Sequence, residues 1–446
     1  MSVNSFIETV IESYKDVPVL NIPKESQEFI GIEYHQTLKC DINHLQSNCP
    51  LPFGASPVID ATITQYKVLA ASDDVKTVYE INLELPERFE YFPGDTIGIL
   101  ARNKMDEVQE VIEKLGHKNI SDQVFSVKSI DMKKKLPIYI PASQMMTIRK
   151  VLYECLDLHG VPKKLFLRAL MNFTSDAREK RFLEILCSKE GTKTYSEFVE
   201  SQNGTFLGLI RLLRTCRPDF SILLSHLPRL LPRPYSISSS PCHKNGKEIK
   251  FVFSFENGLV TSMLKDKIEN ASNEKKIEIY IRKSTQFRYS SEFFDKNLIM
   301  IGPGTGISPF IGFLSYKNDL NVKTGDMWLL TGCRYQNRNQ LFSEELETFI
   351  QNKCLTKISK AFSRDPDSKY RYVQDLIRAE KEDFVKWILN SNTIIFVCGE
   401  GKKMLPDIQN TITQCLADVN LMAESDAIEF VKDLKKSGKY IEDIWI

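Results

Sequence analysis

The sequence lacks any bias of charge. Its 59 Lys and Arg residues stand against 58 Asp and Glu, a net of +1 over 446 residues. Proteins that grip nucleic acid through its phosphates carry a basic excess, so bulk nucleic-acid binding is excluded and only a local basic patch is left open. The sequence also lacks an apolar run near the roughly 18 residues of a membrane span. The nearest approach, "LLRTCRPDFSILL", is broken by Arg214, Arg217 and Asp219, so no membrane partner is expected. A targeting segment is missing from the first residues, "MSVNSFIETVIESYKDVP": there is no basic start with an apolar core, and Glu8, Glu12 and Asp16 are foreign to a mitochondrial presequence. Ten cysteines are present, but no C-x-x-C pair and no metal-ligand spacing. The expectation is free thiols, no metal and a cytoplasmic setting.

What is present is ordinary globular composition, 42% apolar and 26% charged, on a chain long enough for two or three domains. Residues 1–50 are polar and Pro-containing after a short amphipathic start, and read as a linker-like segment. From Pro57 the stretches "ASPVIDATITQYKVL" and "VKTVYEINLEL" are rich in Val, Ile, Thr and Tyr and read as strands, followed by the turn and strand of "YFPGDTIGIL". Between about 105 and 225 the spacing turns helical, as in "KKLFLRALMNFT" and "AREKRFLEILCSKEG". Strands return at "IKFVFSFENG" and "KKIEIYIRK"; from residue 297 strands and helices alternate, which implies a parallel sheet with covering helices. The plan is a β domain over 51–296 with a helical insertion, then an α/β domain over 297–446.

Six stretches carry chemistry. In "NLIMIGPGTGISPFIGFL" an apolar strand ends in Gly302, Gly304 and Gly306 just where a helix opens. Glycine admits close approach to the backbone, and a helix start offers unpaired amides and a positive dipole end, which suits a phosphate. A structural strand-to-helix turn would look the same. Thr305 adds a hydroxyl there, and "LLTGCRYQNRNQLFSEEL" puts Arg334 at the end of the next strand, where a guanidinium suits a pyrophosphate. "AFSRDPDSKYRYVQDL" clusters Ser363, Arg364, Lys369, Arg371 and Tyr372, either a solvated charged loop or a reader of a 2′-phosphate. "IIFVCGEGKKML" sets Cys398 at a strand tip, as inert packing or as part of a nucleotide crevice. In "LPRPYSISSSP" alternation puts Arg233 and Tyr235 on one face beside Ser236, a cation and a flat ring fit for a flavin. "ENGLVTSML" has Gly258 and Thr261 at a helix start, another anion site.

Together these stretches, in this order, resemble the diflavin reductase family, the group of NADPH–cytochrome P450 reductase; the close "YIEDIWI" is similar to its Y-x-x-D-[VI]-W ending. The resemblance covers roughly residues 19–446, and within the family the helical region is most similar to the branch that reduces methionine synthase. It implies an α+β multi-domain chain: an FAD-binding antiparallel β-barrel with an inserted α-helical connecting domain, then a ferredoxin–NADP reductase-like α/β parallel-sheet domain for NADP(H).

The resemblance implies roles as well. Arg233, Tyr235, Ser236, Gly258, Val260, Thr261 and Trp445 would hold FAD. Gly304, Thr305, Arg334, Ser363, Arg364, Lys369 or Arg371, Tyr372 and Glu400 would hold NADPH. Ser236, Cys398, Asp443 and Trp445 would form the hydride-transfer group, with Trp445 moving aside for the nicotinamide. Glu400 stands where the family has Asp, and "KYRY" makes Lys369 and Arg371 competitors for one role. The 50 residues before the barrel are too few for a flavodoxin-like domain, so FMN is not expected on this chain. The implied partners are cobalamin-dependent methionine synthase or a separate flavodoxin-like FMN protein. The implied activity is an NADPH-dependent flavoprotein reductase; the alternatives are an FMN-less reductase half or a non-catalytic module that binds such a partner.

Overall fold

The computed structural model describes residues 3–47, 56–270 (except 132, 138, 141 and 202), 275–320 and 324–445. The expected boundary near residue 51 lies outside them. Strands β1 (Ile30–His35), β2 (Ile59–Ser72), β3 (Val75–Glu84), β4 (Thr96–Ile99) and β5 (Val124–Ser129) come first. After a helical stretch come β6 (Arg233–Ser236), β7 (Glu248–Ser254) and β8 (Lys276–Arg282). The chain closes with β9 (Asn297–Ile301), β10 (Met327–Cys333), β11 (Lys357–Phe362), β12 (Thr393–Glu400) and β13 (Tyr440–Trp445). The chain divides into two compact units, Met1–Pro52 with Ala101–Pro232, and Phe53–Leu100 with Arg233–Ile446.

The first unit is the helical insertion. Its helices include Ile148–Glu154, Lys164–Leu170, Ala177–Cys187 and Phe206–Leu212. Side chains cap them where the sequence offers oxygen: Asp176 accepts from the amides of Arg178 and Glu179, and Thr205 from that of Gly208. Phe125, Phe166, Phe182, Phe198 and Phe206 are fully buried and anchor its core. The linker-like reading of residues 1–50 differs from what is seen. Helix Val3–Glu12 buries Ile7 and Val10 in this core, Phe6 meets Phe182 edge-on at 6.0 Å, and β1 pairs antiparallel with β5. A short amphipathic helix is marginal alone and is stabilised by tertiary burial, which no local pattern announces.

The second unit joins the barrel to the parallel sheet. Six antiparallel strands run in the order β6-β4-β8-β2-β3-β7. The edges come together just past β6, where Ile237 bridges Phe251 of β7 and the Ser238 amide donates to the Lys250 carbonyl at 2.8 Å. Closure of this kind removes the exposed edges of an open sheet. The second sheet is parallel, in the order β11-β10-β9-β12-β13, with helices between successive strands. β9, β10 and β12 are mostly apolar and largely buried, as a covered parallel sheet requires. This is the ferredoxin–NADP reductase-like arrangement. Among the described residues no helix is long and apolar enough to cross a membrane. The nine described cysteines are free thiols.

Candidate functional site

The strand order reverses direction at β9, and ligands of open α/β sheets bind beyond the strand ends at such a point. There β9 runs into a one-turn 3₁₀ segment, Gly304–Ile307, and then helix Ser308–Leu320. Gly304 sits at φ +57°, the left-handed region, with open space where a Cβ would project. Gly306 serves a different purpose: a Cβ there would lie 2.3 Å from the Cys398 carbonyl oxygen. The turn is thus folded tightly against β12, and the Thr331 hydroxyl fixes its start by donating to the Gly302 carbonyl at 2.8 Å. A crevice of about 270 Å³ opens beside it, lined by Gly304, Gly332, Cys333, Lys360 and Phe362 among others.

Arg334, Ser363 and Arg364 come together beyond the ends of β10 and β11. The Ser363 amide donates to the Cys333 carbonyl and the Arg364 amide to the Arg334 carbonyl, each at 2.9 Å. The Phe362 amide reaches the Tyr370 carbonyl at 2.9 Å, which draws the Lys369–Tyr372 segment to the same edge. Lys369 lies 5.2 Å from the Tyr370 ring, and the amides of Arg371 and Tyr372 both donate to Asp375 at 3.0 Å. The Tyr372 side chain is 60% exposed. Glu400 is placed differently from the others: its carboxylate accepts the amides of Lys402, Lys403 and Met404 at 2.8, 3.0 and 3.4 Å. Those amides, Lys403 first, hold it below the usual carboxylate range.

The sequence reading missed Asp74. This residue lies in the tight turn between β2 and β3, and its carbonyl accepts from the Arg334 guanidinium while its carboxylate accepts from the Tyr335 hydroxyl. The Tyr335 bond, first among several causes, holds the Asp74 carboxyl below its usual range. No local signal marks it, because its partners are about 260 residues away along the chain.

The other residues converge where the barrel meets the parallel sheet. Arg233 to Ser236 form edge strand β6, paired with β4 in the register Thr96↔Ser236 and Ile97↔Tyr235. The Tyr235 ring lies 5.2 Å from Phe251 and burial pushes its phenol up. Ser236 donates its hydroxyl to Asp443 Oδ2 at 3.5 Å, and its carbonyl accepts from Ser308 at 3.3 Å. Asp443 is in register with Cys398 across β12 and β13, and Trp445 with Glu400. Burial pushes the Cys398 thiol well up, helped by Asp443, so it stays protonated. Burial also raises Asp443, opposed by Arg282 and by the Ser236 bond. Trp445 is 45% exposed and its carbonyl accepts the Gly401 amide at 2.9 Å. Thr96 lies between Ser236 and Arg282 on neighbouring strands, and among the described residues its buried hydroxyl has no hydrogen-bond partner. Gly258, Val260 and Thr261 stand apart at the start of helix Leu259–Glu269, with Val260 buried and the Thr261 hydroxyl accepting the Gly258 amide at 3.0 Å.

Two family descriptions match the sequence: "FAD binding domain" over residues 51–257 and "Oxidoreductase NAD-binding domain" over residues 300–410. Methionine synthase reductase of Homo sapiens is 33% identical over 468 aligned positions, covering 96% of this chain and 66% of that protein. The protein of the same name from Mus musculus is 32% identical with the same coverage. NADPH–cytochrome P450 reductase of Musca domestica is 31% identical over 90% of this chain and 61% of that protein. The chain thus spans about two thirds or less of the length of these relatives. With an FAD-binding barrel, an NAD-binding parallel sheet and these relatives in common, the chain belongs to the family of flavin reductases that includes methionine synthase reductase and NADPH–cytochrome P450 reductase.

Proposed function

We propose that this chain is an NADPH-dependent flavoprotein reductase that reduces its own FAD and passes electrons onward, with the reductive reactivation of cobalamin-dependent methionine synthase as their destination. The observation that carries the reading is the approach of Ser236 on the barrel edge to Asp443 on β13, beside Cys398. A barrel that binds flavin and a sheet that binds nucleotide meet there through polar side chains.

Bound together, NADPH and FAD supply the redox chemistry, a hydride passing from nicotinamide to flavin. The protein's own residues bind, align and neutralise. Arg233 would hold the FAD pyrophosphate from one side and the Gly258–Thr261 amides from the other, while Tyr235 packs on the flavin ring. The partnerless Thr96 hydroxyl beside Ser236 fits a polar ligand at this edge. Gly304 and Thr305 would take the NADP phosphates with Arg334; Ser363, Arg364, Tyr372 and one of Lys369 and Arg371 would read the 2′-phosphate. Glu400 would contribute through the turn it caps. Ser236, Cys398 and Asp443 would orient the reacting rings, Asp443 offering counter-charge to the nicotinamide as it becomes cationic. Trp445, at the exposed end of β13, would cover the flavin until nucleotide arrives.

Methionine synthase, directly or through a flavodoxin-like FMN protein, is the proposed partner, in the cytoplasm. The test is flavin released from purified protein and measured by fluorescence, with NADPH-driven reduction of ferricyanide, then of methionine synthase with and without an added flavodoxin-like protein. A folded preparation free of FAD would overturn the reductase reading. Ferricyanide reduction without any reduction of methionine synthase in either condition would overturn the partner alone.

A further inference from the structure

Away from the nucleotide crevice, the second unit holds a wider cavity that opens to solvent. It lies between β3 and β7 of the barrel and two helices of the parallel-sheet region, Ser308–Leu320 and Ser343–Gln351. None of the residues assigned to FAD or NADP lines it.

Its walls carry an unusual set of polar groups for a solvent-open depression. Glu80 projects from β3 and is 7% exposed, with its carboxylate open to the cavity and Lys250 the nearest opposing charge. Ser238 is 2% exposed, and among the described residues its hydroxyl has no hydrogen-bond partner. Buried polar groups are ordinarily satisfied, and an orphan costs about 1–3 kcal/mol. The Ser238 orphan, beside the Glu80 carboxylate, marks a place built for something polar. Asp319 and Glu345 add two more carboxylates to the lining, against Lys250 and His243. His243 is engaged by Glu248 at 2.9 Å, and Glu345 is shared with Lys67 at 3.6 Å. Burial pushes the Glu80 carboxyl up, opposed mainly by Lys250. Phe342 and Phe349 also line it, and aromatic rings attract cations. Among the described residues no three His, Cys, Asp or Glu side chains gather closely enough to hold a metal ion. An organic cation meets carboxylate, hydroxyl and aromatic ring together.

The geometry points to a second ligand site in this cavity, taking a small organic cation with an ammonium or guanidinium group whose charge pairs with Glu80 and whose N–H bonds reach Ser238. The proposal does not depend on the cofactor reading, and it is tested without NADPH.

The experiment is isothermal titration calorimetry of the whole chain with agmatine and putrescine, with 1,4-butanediol as the neutral comparison. Saturable agmatine binding with a Kd on the order of 100 μM is expected for a ligand of this size. Glu80→Gln should weaken it at least ~10-fold, and Ser238→Ala by roughly 3-fold, the ratios of a charged and a neutral hydrogen bond. Circular dichroism checks that each variant is folded, and Asp319→Asn, at an exposed position, serves as a second charge variant with a smaller expected loss. No saturable heat for either cation up to about 10 mM would overturn the site, since binding that weak is barely specific. Equal binding of butanediol, or affinity unchanged in both Glu80→Gln and Ser238→Ala, would do the same. Equal affinity for a blocked Gly-Arg-Gly peptide would overturn the free-ligand assignment in favour of a partner's arginine.

Discussion

Ser236 and Asp443 lie 207 residues apart in sequence and meet at 3.5 Å, Oγ to Oδ2. Asp443 sits at this junction in a setting where burial disfavours its charge. A carboxylate kept there against that cost is a candidate for work in catalysis, and it makes opposite predictions for rate and for stability.

Asp443→Asn should slow NADPH-dependent ferricyanide reduction by roughly 10–100-fold through lost charge placement, with the NADPH KM little changed. Stability should move the other way. The Asp443 carboxyl is raised in the folded state, so its contribution is complete below the unfolded value and is lost as pH rises through the folded value. At pH 7 the folded protein carries that penalty. The Asn variant should therefore melt higher at pH 7, and the gap should narrow as pH is lowered toward 4. Paired melting curves at the two pH values check the sign.

Arg364→Ala with Arg371→Ala should reduce the preference for NADPH over NADH by roughly 10–100-fold, the loss of one or two charged hydrogen bonds. Ratios of kcat/KM for the two nucleotides measure it. An unaltered ratio would count against the 2′-phosphate assignment.

Asp74→Asn removes a negative charge beside Arg334 and weakens the hold on Tyr335. The NADPH KM should fall by roughly 2–5-fold at low salt, and the effect should fade above ~0.3 M salt as screening shortens the field. A titration of KM against ionic strength tests both halves.

The glycines of the turn between β9 and helix Ser308–Leu320 should separate by mechanism. Gly306→Ala forces a Cβ toward the Cys398 carbonyl at 2.3 Å, so it should destabilise by about 1–3 kcal/mol and depress turnover. Gly304→Ala meets nothing and costs only the left-handed backbone, about 1 kcal/mol. Thermal melts rank the two variants, and the reverse order would mean that the turn is not packed as described.

Much of the fold was legible because its signals are local. The apolar strands β9, β10 and β12, the glycine turn and the arginine-bearing loops each declare themselves within about ten residues. What was illegible is what the chain joins at a distance. Closure of the barrel rests on Ile237 and Phe251, and Asp74 reaches a loop about 260 residues away. Helix Val3–Glu12 finds its partner at Phe182. Smaller breaks are silent too: the stretch "VQDLIRAEKEDFVKWIL" divides at Glu380 into helices Val373–Ala379 and Lys381–Leu389, which its spacing does not mark. The place of Glu400 in its motif is visible in sequence, whereas its three backbone amide partners are a matter of turn geometry.

The last rung of the β12–β13 ladder pairs Glu400 with Trp445, and one amide, that of Gly401, holds the tryptophan's carbonyl. The hydroxyl of Ser236 meets Asp443 two positions back on the same strand, further from the tip. Trp445, 45% exposed at the tip of β13, is thus the least enclosed member of a group whose other side chains are packed behind it.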